Sequence, residues 1–207
     1  MKKFLVSLFV ALCCMWCITD IGNAKTLKVS VKNYKDSSIQ YASIQGKAYK
    51  QINKKMLDYA KKTYAYQTKQ KKRLKSDIKN GLAVPGMRYS TTLKCTPKFI
   101  SSTKVSVLCD RFIYEGGAHG LNHFVTFNTY KGKQVVLKDI FQSDADYKTA
   151  NNIAKQYMIK HSYKPSSIKN REFYWTKTGI NVVFDSYKVT AGSSGMVSIP
   201  ISKKYLK

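Results

Sequence analysis

Near its start the chain alternates. Leu27, Val29 and Val31 are interleaved with Lys28, Ser30 and Lys32, the period-two pattern of a half-buried strand, and residues 38–43 predict a second one. From Gly46 the period changes to that of a helix. Tyr49, Ile52, Met56, Tyr59, Thr63, Tyr66, Gln70, Leu74 and Ile78 recur at spacings of three and four, one inward stripe of a long helix that Gly81 and Pro85-Gly86 bring to an end. Residues 88–98 and 103–113 read as two strands around the polar turn Ser101-Ser102, and further strands are expected at 119–129 and 135–137. Ser143, with Asp146 three residues on, marks the start of a second helix that runs to about Ile159 with Tyr147, Ala150, Ala154, Tyr157 and Met158 inward. Residues 173–175 and 180–184 form a hairpin across Thr176-Lys177-Thr178-Gly179. Residues 196–200 supply the last strand, in which Pro200, lacking an N–H, belongs at an end or on a sheet edge. This order predicts an α+β fold: an antiparallel sheet, one long helix in the N-terminal half and a second helix in the C-terminal half.

The extreme N-terminus has a different character. Met1-Lys2-Lys3 precedes the apolar run FLVSLFVALCCMWCI at residues 4–18, shorter than the roughly 20 residues of a bilayer span, which is the layout of a secretory signal. Small residues at Gly22 and Ala24 put the cleavage between Ala24 and Lys25. Residues 1–24 are thus read as a signal peptide and the rest as a periplasmic or secreted chain; retention as an uncleaved anchor is the alternative fate. No later stretch reaches 18 continuous apolar residues, so no transmembrane span is expected after cleavage.

Of the five cysteines, Cys13, Cys14 and Cys17 fall inside that segment. They are preceded by Leu12, Cys13 and Trp16 instead of the small residue that lipoprotein processing requires. Cys95 and Cys109 are left as an even pair in an oxidising compartment, where a disulfide is the default. The turn centre at residue 102 is equidistant from both, so a hairpin there sets them face to face.

Charge changes the picture more than any motif. Against 11 acidic residues stand 37 basic ones, a formal net charge of +26 on 207 residues, and an anionic partner is the natural inference. The excess is richest on the first helix, where Lys47, Lys50, Lys54, Lys55, Lys61, Lys62, Lys69, Lys71, Lys72, Arg73, Lys75 and Lys79 meet only Asp58 and Asp77. Such a face can be an ordinary solvated one whose long stems shield the core. Yet like charges one turn apart destabilise a helix by a few tenths of a kcal/mol per pair, and a surface of opposite sign would offset that cost. Tyrosines among these lysines suit nucleic acid as well, but an exported chain meets an anionic envelope polymer or lipid surface instead. Lysine, a diffuse point charge, outnumbers arginine 33 to 4.

Candidate chemistry is sparse. In YEGGAHG at residues 114–120, Gly116, Gly117, Ala118, His119 and Gly120 read as a bulge or sharp corner that needs positive φ or close backbone approach, held by a hydrogen bond from His119. Glu115, His119 and His123 do not make a metal site on a straight strand, because positions 119 and 123 lie about 13 Å apart at ~3.3 Å per residue. Gly192-Ser193-Ser194-Gly195 lacks the strand-turn-helix setting of a nucleophile elbow. Asp139 and Ser143 suit helix starts better than a paired-carboxylate site. No cofactor, metal or catalytic constellation is expected, and an envelope hydrolase would have to act through His119 or Glu115.

Together, YEGGAHG, GKQVVLKDIF at 132–141, FDSYKV at 184–189 and VSIPISKKYL at 197–206 resemble a bacterial extracytoplasmic family of unknown function. Residues 25–115 similarly resemble its N-terminal companion, and 116–207 the GGAH-containing region itself. This domain pair occurs in the ectodomains of RsiV-type anti-sigma factors, which sense lysozyme, and in the non-catalytic part of PdaC-type peptidoglycan deacetylases. The resemblance implies two regions packed as one body, and a sensor or inhibitor that binds a protein such as lysozyme. Where relatives carry a Pro-Tyr-Ala-Ala-Gly-like loop, however, this chain has Ala191-Gly192-Ser193-Ser194-Gly195, and two strongly basic proteins repel each other. The reading carried forward is an exported, non-enzymatic binding module for an anionic envelope polymer or surface.

Overall fold

The change from period two to period 3.6 and back is realised as a strand pair, a long helix and a return to strands. The computed structural model describes residues 27–185, 187–192 and 195–207, so the proposed signal with Ala24 and Lys25, and Ser193 and Ser194 of the last loop, lie outside the described residues. The elements are β1 (Val29–Tyr34), β2 (Asp36–Ile44), α1 (Lys50–Lys79), β3 (Ser90–Ile100), β4 (Lys104–Tyr114), β5 (Leu121–Tyr130), β6 (Lys133–Gln134), α2 (Asp144–Lys160), β7 (Glu172–Thr176), β8 (Gly179–Phe184) and β9 (Val197–Ser202).

The first six strands form one sheet in chain order, and β7-β8-β9 form a second. The first sheet runs through residue 115 without a break, taking β5 and β6 from beyond it. All its pairings are antiparallel except β2 with β3, which meet in parallel at Ile39 and Leu93. A single helix separates those two strands. It carries the chain back along the sheet, so β3 starts at the same end as β2; the α+β fold with antiparallel pairing is as expected, and this one parallel contact adds to it.

Side-chain alternation then assigns the layers. Val105, Val107 and Cys109 of β4 and Phe127 of β5 join Ile39, Ala42 and Leu93 under Ile52, Met56 and Ala60 of α1. Leu108 and Phe124 point the other way and meet Val183 of the second sheet. Beyond it, Phe173, Trp175, Val182 and Ile199 pack against Ala150, Ala154 and Met158 of α2. Both faces of the large sheet are therefore covered at its central strands, and β4 is buried continuously from Val105 to Cys109.

Several expectations need correction. Residues 135–137 are not a strand: β6 is only Lys133–Gln134, and Leu137–Ile140 form a single 3-10 turn that buries Leu137 and Ile140. The inward stripe of α1 turns slightly from the expected one. Ala60, Gln67 and Gln70 are buried beside Ile52, Met56 and Thr63, while Tyr66 faces out, and no residue of α1 beyond Gln70 is fully buried. The 30 residues of α1 make about 45 Å of helix, more than the roughly 36 Å that the 11-residue strand β3 can underlie, so the last turns extend past the core. Val31 of the edge strand β1 is exposed. Strand β5 starts at Leu121, leaving His119 in the loop before it. Pro200 pairs with Asn181 on β9, the edge strand of the small sheet, where its missing N–H costs no ladder bond on the open side. Ser143 caps α2, its Oγ accepting from the Asp146 N–H at 3.1 Å.

Candidate functional site

Because α1 buries the stripe from Ile52 to Gln70, its remaining circumference faces solvent. Lys47, Lys50, Lys54, Lys55, Lys61, Lys62, Lys69, Lys71, Lys72, Arg73 and Lys75 are all exposed. Some have acidic partners. Asp58 takes Lys54 at 2.6 Å and Lys61 at 3.8 Å, Asp36 takes Lys71 at 3.9 Å, and Arg73 reaches Asp77 at 3.4 Å and Glu115 at 3.2 Å. Lys54 donates a hydrogen bond to Asp58, which holds that carboxyl below its ordinary range. Lys55 donates to the side-chain oxygen of Gln134. Among the described residues, Lys47 in the turn ahead of α1 and Lys50, Lys62, Lys69, Lys72 and Lys75 along it have no acidic partner within 4 Å, and Lys79 at its end has none either.

Beside the far end of this helix lies the glycine motif. Gly116 has φ +83°, which favours glycine, and a Cβ on Gly120 would sit 2.1 Å from the Phe112 ring, so a side chain there would have to displace that ring. Gly117 and Ala118 are part of the same exposed bend. His119 does not hold the corner: it is exposed and, among the described residues, has no hydrogen-bond partner. The loop is fixed from its start instead. Glu115 accepts from Tyr66 Oη at 2.7 Å and from Arg73, and Gln70 donates to the Tyr114 carbonyl at 2.9 Å while accepting from Thr91 Oγ1 at 2.9 Å. Both oxygens of Glu115 are thus taken by α1. His123 lies on β5, 3.8 Å from Asp185. No group of three or more potential metal ligands occurs among the described residues. Cys95 and Cys109 are paired in register and joined by a disulfide beneath α1.

The seam between the sheets holds polar groups that sequence reading did not single out. Ser106, Thr126 and Asn128 alternate with apolar neighbours on β4 and β5, and alternation alone does not distinguish water from a polar seam under a second sheet. Asn128 donates to the Phe173 carbonyl and to Thr126 Oγ1, Ser106 donates to Asn128, and the Trp175 N–H donates to Ser106 at 2.8 Å. Glu172 accepts from both the N–H and the hydroxyl of Thr126. Burial pushes its carboxyl upward, and those two hydrogen bonds only partly oppose the shift. Asp185 likewise accepts from the Phe124 N–H at 2.8 Å, so two carboxylates cap the open edge of β5 where β6 does not reach. A groove of about 720 Å³ opens there between Val125–Asn128, Val135–Leu137 and Lys169–Phe173, with Lys138, Lys148 and Arg171 at its rim.

Residues 138–204 match the family model described as "Protein of unknown function (DUF3298)". The peptidoglycan-N-acetylmuramic acid deacetylase PdaC of Bacillus subtilis strain 168 is 33% identical over 118 residues, half of this chain, which spans only a quarter of that relative's length. A crystal structure of a DUF3298 family member from Bacteroides fragilis superposes with TM-score 0.61 at 16% identity, over 86% of this chain and 91% of the other. One from Pseudomonas aeruginosa PAO1 gives 0.52 at 14% identity, over 86% and 89%. The family resemblance read from the sequence motifs is borne out, and the two solved structures share the fold.

Proposed function

We propose that this chain is an extracytoplasmic, non-enzymatic binding module that attaches to an anionic envelope polymer through the outer face of α1. The observation that carries this reading is the row of six cations with no acidic partner, Lys47 just ahead of α1 and five along it, on a helix whose opposite side packs on the core from Ile52 to Gln70. Lys72 and Lys75 are three residues apart and Lys69 and Arg73 four, so neighbouring charges repel in the free protein, and an anionic surface would relieve them. Lysine stems reach several ångströms from the helix and adapt to an irregular array of charges, which suits a polymer better than a single defined anion. The family match fits a role outside the cytoplasm, and the curated relative is named for action on peptidoglycan, a polymer that bears carboxylates. No helix among the described residues is long and apolar enough to cross a membrane.

Co-sedimentation with purified cell-wall sacculi tests the proposal. Retention is expected in dilute buffer and should fall steeply at about 0.5 M salt, where the Debye length is a few ångströms. A variant with Lys47, Lys50, Lys62, Lys69, Lys72 and Lys75 changed to Gln should melt like the parent, because all six are exposed, and lose most of its retention. Equal retention of parent and variant would overturn the proposal.

A further inference from the structure

Past the basic face, the end of α1 leads into a turn that exposes apolar side chains. Leu82 is 76% exposed and Val84 63%, more than any other large apolar side chain among the described residues, and they lie two positions apart. The turn does not leave them free to fold back. The N–H groups of Leu82 and Ala83 both bond to the Asp77 carbonyl, at 2.8 and 3.2 Å, that of Gly81 bonds to Ile78, and that of Met87 to Val84. Ala83, between the two, is 6% exposed, so the turn hides this side chain while holding its neighbours out. Pro85-Gly86 closes it, with Gly86 at φ +91°. Lys75 and Lys79 on the preceding helical turns and Arg88 after the loop are exposed and, among the described residues, have no acidic partner within 4 Å.

The geometry points to this tip as a membrane contact: Leu82 and Val84 enter the headgroup boundary of an anionic bilayer while Lys75, Lys79 and Arg88 stay among the phosphates. Apolar side chains held out from a rigid turn lose contact with water on such a surface without any rearrangement of the protein, and each cation beside them adds attraction to anionic lipid. Charge complementarity selects this occupant. An apolar tip flanked on both sides by cations matches an interface that is apolar beneath and anionic at its face, which is the layering of an anionic bilayer. The inference goes beyond attachment to a polymer and does not depend on it: only Lys75 is shared with the basic face, while Leu82, Val84, Lys79 and Arg88 lie beyond it.

Flotation with vesicles of phosphatidylglycerol and phosphatidylcholine at 1:3, against phosphatidylcholine alone, is the experiment, run on the mature chain. The parent should float with the anionic vesicles only. The double variant Leu82→Ser, Val84→Ser should partition on the order of 10-fold less, as expected for losing about 1.4 kcal/mol of apolar burial, yet sediment with sacculi as the parent does. A Leu82→Trp variant should show, relative to the parent, an added emission that shifts to the blue on anionic vesicles and is quenched by brominated lipid. Undiminished flotation of the double variant, or an added indole emission that stays unshifted on bound protein, overturns the inference. So does a change in oligomeric state on removing the two side chains, which would assign the tip to self-association. Loss of sacculus binding by a variant with Lys47, Lys50, Lys62, Lys69 and Lys72 changed to Gln, which keeps Lys75, with flotation intact leaves the tip standing, so the two proposals fail separately.

Discussion

The hydroxyl of Tyr59 is buried without a hydrogen-bond partner, although its ring packs edge-on against Phe127 and lies 5.7 Å from the Arg111 guanidinium. Its pKa is raised because burial disfavours the phenolate, with Arg111 opposing. A Phe keeps the ring contacts and removes the unpaired group, so Tyr59→Phe is expected to stabilise the fold by about 1 kcal/mol in urea titrations. Glu172 offers a signed pH effect. Its folded-state pKa lies above the ordinary value, so the protonated form favours the folded chain. That contribution is fully present below about pH 4.5 and is lost as pH rises through the raised folded value. Glu172→Gln keeps an acceptor for Thr126 but never ionises. Its stability relative to the parent should therefore rise between acid and neutral pH, a difference in which the titration of groups not coupled to Glu172 cancels.

Among the elements, the β3-β4 hairpin ties the layers together. Its register places Cys95 against Cys109 and keeps that pairing as far as Pro97 and Val107, before an irregularity at the next residue shifts the tip by one. Closing a loop of this size constrains the unfolded chain by about 3 kcal/mol. Replacing both cysteines by Ala should lower the melting midpoint by roughly 6–12 °C in a domain of this length. Helix α1 shows where element-level reading stops. Its start, length and end were legible from the period, Gly81 and Pro85. Its rotation was not, because spacings of three and four drift over a helix this long. Which of Tyr66 and Gln67 turns inward was decided by the partners waiting there: Gln67 donates to the Thr91 carbonyl and to Ser38.

At the scale of the whole molecule, charge and layering separate. Most of the formal excess of +26 falls on residues of a body whose central strands are covered on both faces, so the cations are left to solvent and partners. Attachment should therefore weaken with ionic strength along the whole α1 face, while any contribution from Leu82 and Val84 should survive salt. Measuring both variants across the same salt series separates the two surfaces.

By itself, the sequence determined the alternation of strands and helices, the disulfide partners, the α2 cap, the family resemblance and the basic helix, because each follows from periodicity, spacing or composition within a short stretch of chain. Only the tertiary structure decided the parallel β2-β3 pairing, the polar seam around Ser106, Thr126, Asn128 and Glu172, the docking of Glu115 on α1 in place of a role for His119, and which lysines lack partners. Those depend on what a second layer places opposite a residue far away in the chain. A local pattern records whether a side chain is polar, but not whether water, a carboxylate or another sheet meets it.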